Sequence, residues 1–185
     1  HYFIEISNFN KDDWNSYLKL NKKYSDKIVK NASINATVWV HDYQLLLLPK
    51  MVKEQRPDLT IGFFLHIPFP SFDIFRIFPW RTEILEGLLG SDLIGFHTFD
   101  YQRHFLSSVK RILRHEVEFN KINLGDREVV VNTFPMGIDY NKFNDAAKKQ
   151  KQQKKSQRSE LKIQLDLHKK ASDNSKLLLS IDRLD

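Results

Sequence analysis

Cysteine is absent from the 185 residues. That excludes a disulfide scaffold and any thiolate-based metal site. It also fits a reducing compartment, so a cytoplasmic protein is expected. Glycine is scarce, with six residues, and neither a P-loop nor a G-x-G-x-x-G turn occurs. No apolar run reaches the roughly 18 residues of a membrane span, so no membrane partner is expected. The opening HYFIEISNFN has neither a basic start nor an apolar centre, and no secretion signal is expected there. The seven histidines are scattered without an H-x-x-x-H pair. Neither a metal nor a cofactor is expected. No serine nucleophile elbow is visible.

What is present points to a folded α/β protein. Hydrophobic residues make up 41% and aromatic residues 12%, including 14 Phe, which is enough for a sizeable core. The formal charge is +6, but residues 148–170 (KKQKQQKKSQRSELKIQLDLHKK) hold nine basic and two acidic residues. The rest carries 20 basic and 21 acidic residues, so the body of the protein is close to neutral. The basic run lacks interleaved aromatics and any recognition motif. It reads as a solvated helix or connector, and no nucleic-acid partner is expected.

Along the chain, apolar residues at three- and four-residue spacing predict a helix over 11–29. ATVWV (36–40) predicts a strand, QLLLLPKMVKEQ (44–55) a helix bent at Pro49, and TIGFFLH (60–66) a second strand. A helix over 80–90, ended by Gly90, precedes the strand SDLIGF (91–96) and a helix over 99–113. EVVVNTF (128–134) and KLLLSI (176–181) complete the strands. Alternating strands and helices predict a parallel sheet with crossover helices, and strands apolar throughout predict cover on both faces.

The polar residues then fall into a pattern. His41-Asp42-Tyr43 follows ATVWV, His66 follows TIGFFL, His97-Thr98 follows DLIGF, Pro135-Met136-Gly137 follows VVVNTF, and Asp182-Arg183 follows KLLLSI. Each lies at the carboxyl end of a predicted strand, the edge where open α/β sheets bind ligands. Pro68 and Pro70 stiffen the loop that presents His66. Plainer readings compete. Asp42 could cap the following helix, and His66 could be structural. His97 and Asp100 could start a helix, and Arg183 could be a surface ion pair. Phe69, Phe72, Phe75 and Phe78 read as core or a lid, and Gly137 as a backbone conformation other residues resist.

The blocks VWVHDYQLLLLP, GFFLHIPFPS, EILEGLLGSDLIGFHTFDYQRHFL, FPMGID and SIDRLD resemble the α,α-trehalose-phosphate synthases, retaining glycosyltransferases. The resemblance runs from about Ala36 to Asp145 and returns at Lys176 to Asp185. Gln44 stands where that family often has a second histidine. The resemblance implies a Rossmann-like parallel sheet with flanking helices, forming part of a two-domain GT-B fold. Residues 1–145 would be part of the N-terminal, acceptor-side domain and 146–175 a basic connector. Residues 176–185 would be the first strand of the C-terminal, donor-nucleotide domain. The implied reaction moves glucose from UDP-glucose to glucose 6-phosphate, giving trehalose 6-phosphate, with the 185-residue stretch alone expected to be inactive.

By the same resemblance, Asp42 would hold acceptor hydroxyls and His66 would face the donor sugar near the reacting carbon. Ile67 would form an apolar wall, and Arg183 would neutralise the leaving diphosphate. A non-catalytic sugar-phosphate-sensing relative and another GT-B sugar synthase remain alternatives. A homo-oligomer and a fused phosphatase domain both stay open.

Overall fold

The computed structural model describes residues 7–153. The first helix, α1 (Lys11–Asn31), begins where the Asn10 side chain accepts the Asp12 N–H at 2.8 Å. Asp12 and Asp13 in its first turn and Lys30 in its last match the helix dipole. Its Trp14, Tyr17, Leu18 and Ile28 pack against the core, as their spacing predicts.

Among the described residues, six strands form one sheet in the order β1 (Thr37–His41), β2 (Thr60–Phe64), β3 (Leu93–Phe96), β6 (Glu128–Thr133), β5 (Lys121–Asn123), β4 (Glu116–Glu118). The first four in that order are parallel, as the alternation of strands and helices predicts. The β4–β5–β6 meander is antiparallel. Its two short outer strands escape the sequence reading because three residues are too few to show a period.

Between the parallel strands lie α2 (Leu48–Lys53), α3 (Phe72–Phe75), α4 (Arg81–Leu88) and α5 (Phe99–Ser108). Pro49 does not bend α2. It sits in the first helical turn, after a short 3₁₀ turn at Tyr43–Leu45, where a missing N–H costs nothing. The helix predicted over 99–113 is α5 followed by a π-type turn over Val109–Leu113.

The core lies against one face of the sheet, lined by Val40, Ile61, Phe63, Ile94, Phe96, Val129 and Val131. Phe69 and Phe75 are buried in it, with Phe69 in ring contact with Phe96 and Phe105. Of the phenylalanine series, Phe69 and Phe75 are core and Phe78 packs against it, while Phe72 is half-buried with the Arg111 guanidinium over its ring. Cover on both faces is not found throughout: Trp39, Gly62, Leu93 and Val130 form one row on the other face. There Trp39 is 69% exposed and Leu93 38%.

Two glycines act differently from the sequence reading. Gly90 has no positive φ and ends no helix by a left-handed turn. A Cβ there would overlap the Pro49–Lys50 backbone, so Gly90 lets the segment after α4 pass close to α2. Gly137 also lacks a positive φ, and a Cβ there would meet open space.

At the amino ends of the strands, Asp92 ties the sheet together. Its carboxylate accepts the Ile61 N–H at 2.7 Å and pairs with Lys53 at 2.9 Å. Arg127 donates to the carbonyls of Ser91 and Leu89 beside it.

The described residues divide into two compact units, one ending at Met136 and one starting at Gly137. The second contains α6 (Tyr140–Gln153), whose start is marked by the Asp139 carboxylate accepting the Lys142 N–H at 3.0 Å. Arg183, the strand predicted over 176–181 and most of the basic run lie outside the described residues. Among those described, no helix is long and apolar enough to cross a membrane.

Candidate active site

Three parallel strands bring three histidines to one edge. His41 ends β1, His66 follows β2 by two residues, and His97 follows β3 directly. The in-register pairing of His41 with Phe64, and of Phe64 with Gly95, aligns the three strand ends. His41 Nδ1 lies 2.9 Å from His66 Nε2. The His66 and His97 rings are 5.5 Å apart.

Phe64 forms the floor, 4.8 Å from the His66 ring and 4.9 Å from that of His97. It fits because Gly95 has no side chain: a Cβ there would come within 2.6 Å of the Phe64 ring. Sequence reasoning quoted His41 and His97 but placed neither in the site. Their matching position at successive strand ends was the available signal.

Asp42 sits between His41 and the 3₁₀ turn. It does not cap that turn with its side chain. Its Oδ1 instead accepts the His66 backbone N–H at 3.3 Å, across from the neighbouring strand. The capping reading is thereby set aside, and Asp42 and His66 belong to one cluster.

The backbone of Asp42 is unusual, with φ 68° and ψ 174°. This region is nearly reserved for glycine and costs of order 1–3 kcal/mol for other residues. Surrounding bonds hold it there. Asp42 N–H donates to Phe64 O at 2.9 Å, and Leu45 N–H donates to Asp42 O at 3.2 Å.

Helix α1 clamps the turn that follows. Tyr17 Oη donates to Tyr43 O and accepts the Leu46 N–H. The fully buried Asn21 donates to Gln44 O at 3.1 Å. Gln44 thus meets the clamp through its backbone carbonyl, whatever its side chain. Burial pushes the Tyr17 hydroxyl up to about 12.

Ile67 is half-buried and packs against the core. Its neighbour two residues on, Phe69, anchors the proline loop in the core. The helix after His97 is started by Thr98, whose hydroxyl accepts the Tyr101 N–H at 3.4 Å, and Asp100 pairs with Arg103. His97 is therefore not needed as a cap. Among the described residues no cluster of His, Cys, Asp or Glu could hold a metal ion.

The sheet is of the Rossmann-like α/β class and carries a carboxylate and three imidazoles at its carboxyl edge, the edge at which open α/β sheets generally bind ligands. The family model of glycosyltransferase family 20 matches residues 1–185, and the chain belongs to that family. It is 43% identical over its whole length to the UDP-forming alpha,alpha-trehalose-phosphate synthase of Pichia angusta, covering 38% of that protein. It is 44% identical to the A form from Dictyostelium discoideum, covering 24% of it. The chain thus spans about a quarter to two-fifths of these relatives' length.

Among solved structures, it superposes on an E. coli protein described as bound with UDP-2-fluoro glucose. The TM-score is 0.72 and the identity 29%, over 77% of this chain and 32% of that one. It matches the N-terminal domain of Candida albicans trehalose-6-phosphate phosphatase equally well, with TM-score 0.72 and 40% identity, over 76% of this chain and 30% of that one.

Proposed function

We propose that this chain is part of a retaining glycosyltransferase that moves glucose from UDP-glucose to glucose 6-phosphate, forming trehalose 6-phosphate and UDP. The observation that carries the reading is the Asp42–His66 pair, linked by the 3.3 Å backbone bond at the carboxyl edge of the sheet. The family match over residues 1–185 gives that pair its chemical context.

In this reading Asp42 accepts hydrogen bonds from acceptor-sugar hydroxyls, and His66 faces the donor glucose. Ile67 supplies an apolar wall beside it. Arg183 faces the diphosphate, where a guanidinium can meet two oxygens at once. The acceptor hydroxyl oxygen bonds to the donor's anomeric carbon on the face from which UDP leaves. The bond from that carbon to the phosphate oxygen breaks, its electron pair stays with UDP, and the hydroxyl proton passes to the departing phosphate oxygen. The protein's tasks are then positioning and charge stabilisation. Residues 1–145 act on the acceptor side, 146–175 connect, and 176–185 open the donor-nucleotide domain.

The test is to supply the full-length protein with UDP-glucose and glucose 6-phosphate and to measure UDP release and trehalose 6-phosphate. Formation of both is expected, with loss of turnover in Arg183→Ala. Absence of product from a folded protein overturns the assignment. A second reading, a non-catalytic relative that binds sugar phosphate, draws support from the 40% identity to the N-terminal domain of a phosphatase. It predicts UDP-glucose or sugar-phosphate binding by calorimetry without transfer.

A further inference from the structure

We infer that His41 is a positioning residue for His66: it accepts a hydrogen bond from His66 Nε2–H and so leaves His66 Nδ1 as an acceptor for a sugar hydroxyl. The inference rests on the transferase reading for its ligand, and on the geometry of the pair for its mechanism. The two ring nitrogens are 2.9 Å apart, which requires a single N–H between them. The proton on one ring nitrogen is set by the bond the other nitrogen makes, so neither ring chooses its tautomer alone.

His41 is the strand-borne member. It is the last residue of β1, paired in register with Phe64, and its ring lies 4.7 Å from that of Trp39. His66, exposed like His41, lies two residues beyond the end of β2. With both rings in the Nε2–H form that imidazole side chains favour when unconstrained, His41 Nδ1 is a bare acceptor. His66 Nε2–H then points at it, and the other ring nitrogen of His66, Nδ1, keeps its lone pair. The rings lie 5.2 Å apart and 26° from parallel, so His66 cannot turn freely without losing this bond.

The experiment uses the full-length protein as wild type, His41→Asn and His41→Phe, each checked for folding. Imidazole ¹⁵N shifts report the tautomer of His66, and kcat/KM reports its consequence. Wild type is expected to show His66 protonated at Nε2. His41→Phe should raise the Nδ1–H share and lower kcat/KM about tenfold. His41→Asn, whose amide oxygen replaces Nδ1 as acceptor, should restore most of both. A His66 tautomer unchanged in folded His41→Phe overturns the inference, as does a wild type protonated at Nδ1, which needs no variant to fold. A locked tautomer in a protein that transfers no glucose upholds the pair and overturns the transferase reading instead.

Discussion

The Tyr17 hydroxyl donates to the Tyr43 carbonyl at 2.7 Å and accepts the Leu46 N–H at 2.9 Å, so one side chain of α1 closes both ends of the turn after Asp42. Tyr17→Phe leaves both backbone groups without that partner. The expected loss is about 1–3 kcal/mol of stability, read from urea unfolding. The hydroxyl's folded value near 12 lies above its ordinary value of 10.0. Its contribution is therefore complete below pH 10 and lost as pH rises through about 12. Stability of the wild type should fall across that alkaline window, and Tyr17→Phe should remove this part of the fall. An identical alkaline profile in the variant would exclude Tyr17 as its source.

Asp42 should separate stability from activity. Asp42→Gly relieves a backbone strain of order 1–3 kcal/mol but also deletes the bond to the His66 N–H. Melting temperature is expected to stay level or rise while glucosyl transfer is lost. Asp42→Asn keeps the strain and should weaken acceptor use about ten- to a hundredfold in kcat/KM, with donor affinity unchanged in calorimetry. A marked drop in the melting temperature of Asp42→Gly would show that the carboxylate holds the loop more than the strain loosens it.

Gly95→Ala tests the floor of the site. The new Cβ would press on the Phe64 ring, which touches both His66 and His97. A side chain can turn away, so a modest cost of about 1–2 kcal/mol is expected, together with lost activity. Gly90→Ala has no such escape, because the obstruction is the Lys50 backbone. It should cost about 3 kcal/mol. Equal melting temperatures for the two variants would contradict this difference.

Acid should loosen the end of α1 through Asp58. Arg56 donates to both Asp58 oxygens, at 2.8 and 2.7 Å, and also reaches the carbonyls of Val29 and Ala32. The hydrogen bonds from Arg56, and one from the Asn35 N–H, hold the Asp58 carboxyl well below the usual carboxylate range. The folded value is depressed, so the stabilisation is present above the ordinary value of about 4 and is lost as pH falls below it. Melting temperature against pH for wild type and Asp58→Asn should converge below about pH 4 and diverge above it. Parallel curves would remove Asp58 from the acid response.

Much of this protein was legible before any coordinates. The 3.6-residue period of α1, the short apolar strands and the polar residues after them were enough to specify the parallel part of the sheet and to mark its carboxyl edge as the candidate site. These signals are local, since each strand carries its own apolar run and each exit its own polar residues. Tertiary structure decided which exits meet. The in-register pairing of β1, β2 and β3 brings His41 within 2.9 Å of His66 and His97 beside them, although more than 20 residues separate each from the next. The same holds for Gly90, whose helix-ending look hid a close backbone approach, and for Asp42, whose strained φ depends on bonds from β2 and on the clamp from α1. Pairing, close approach and strain are relations between distant segments. No single stretch of sequence carries them, because the partner that creates each one lies elsewhere in the chain.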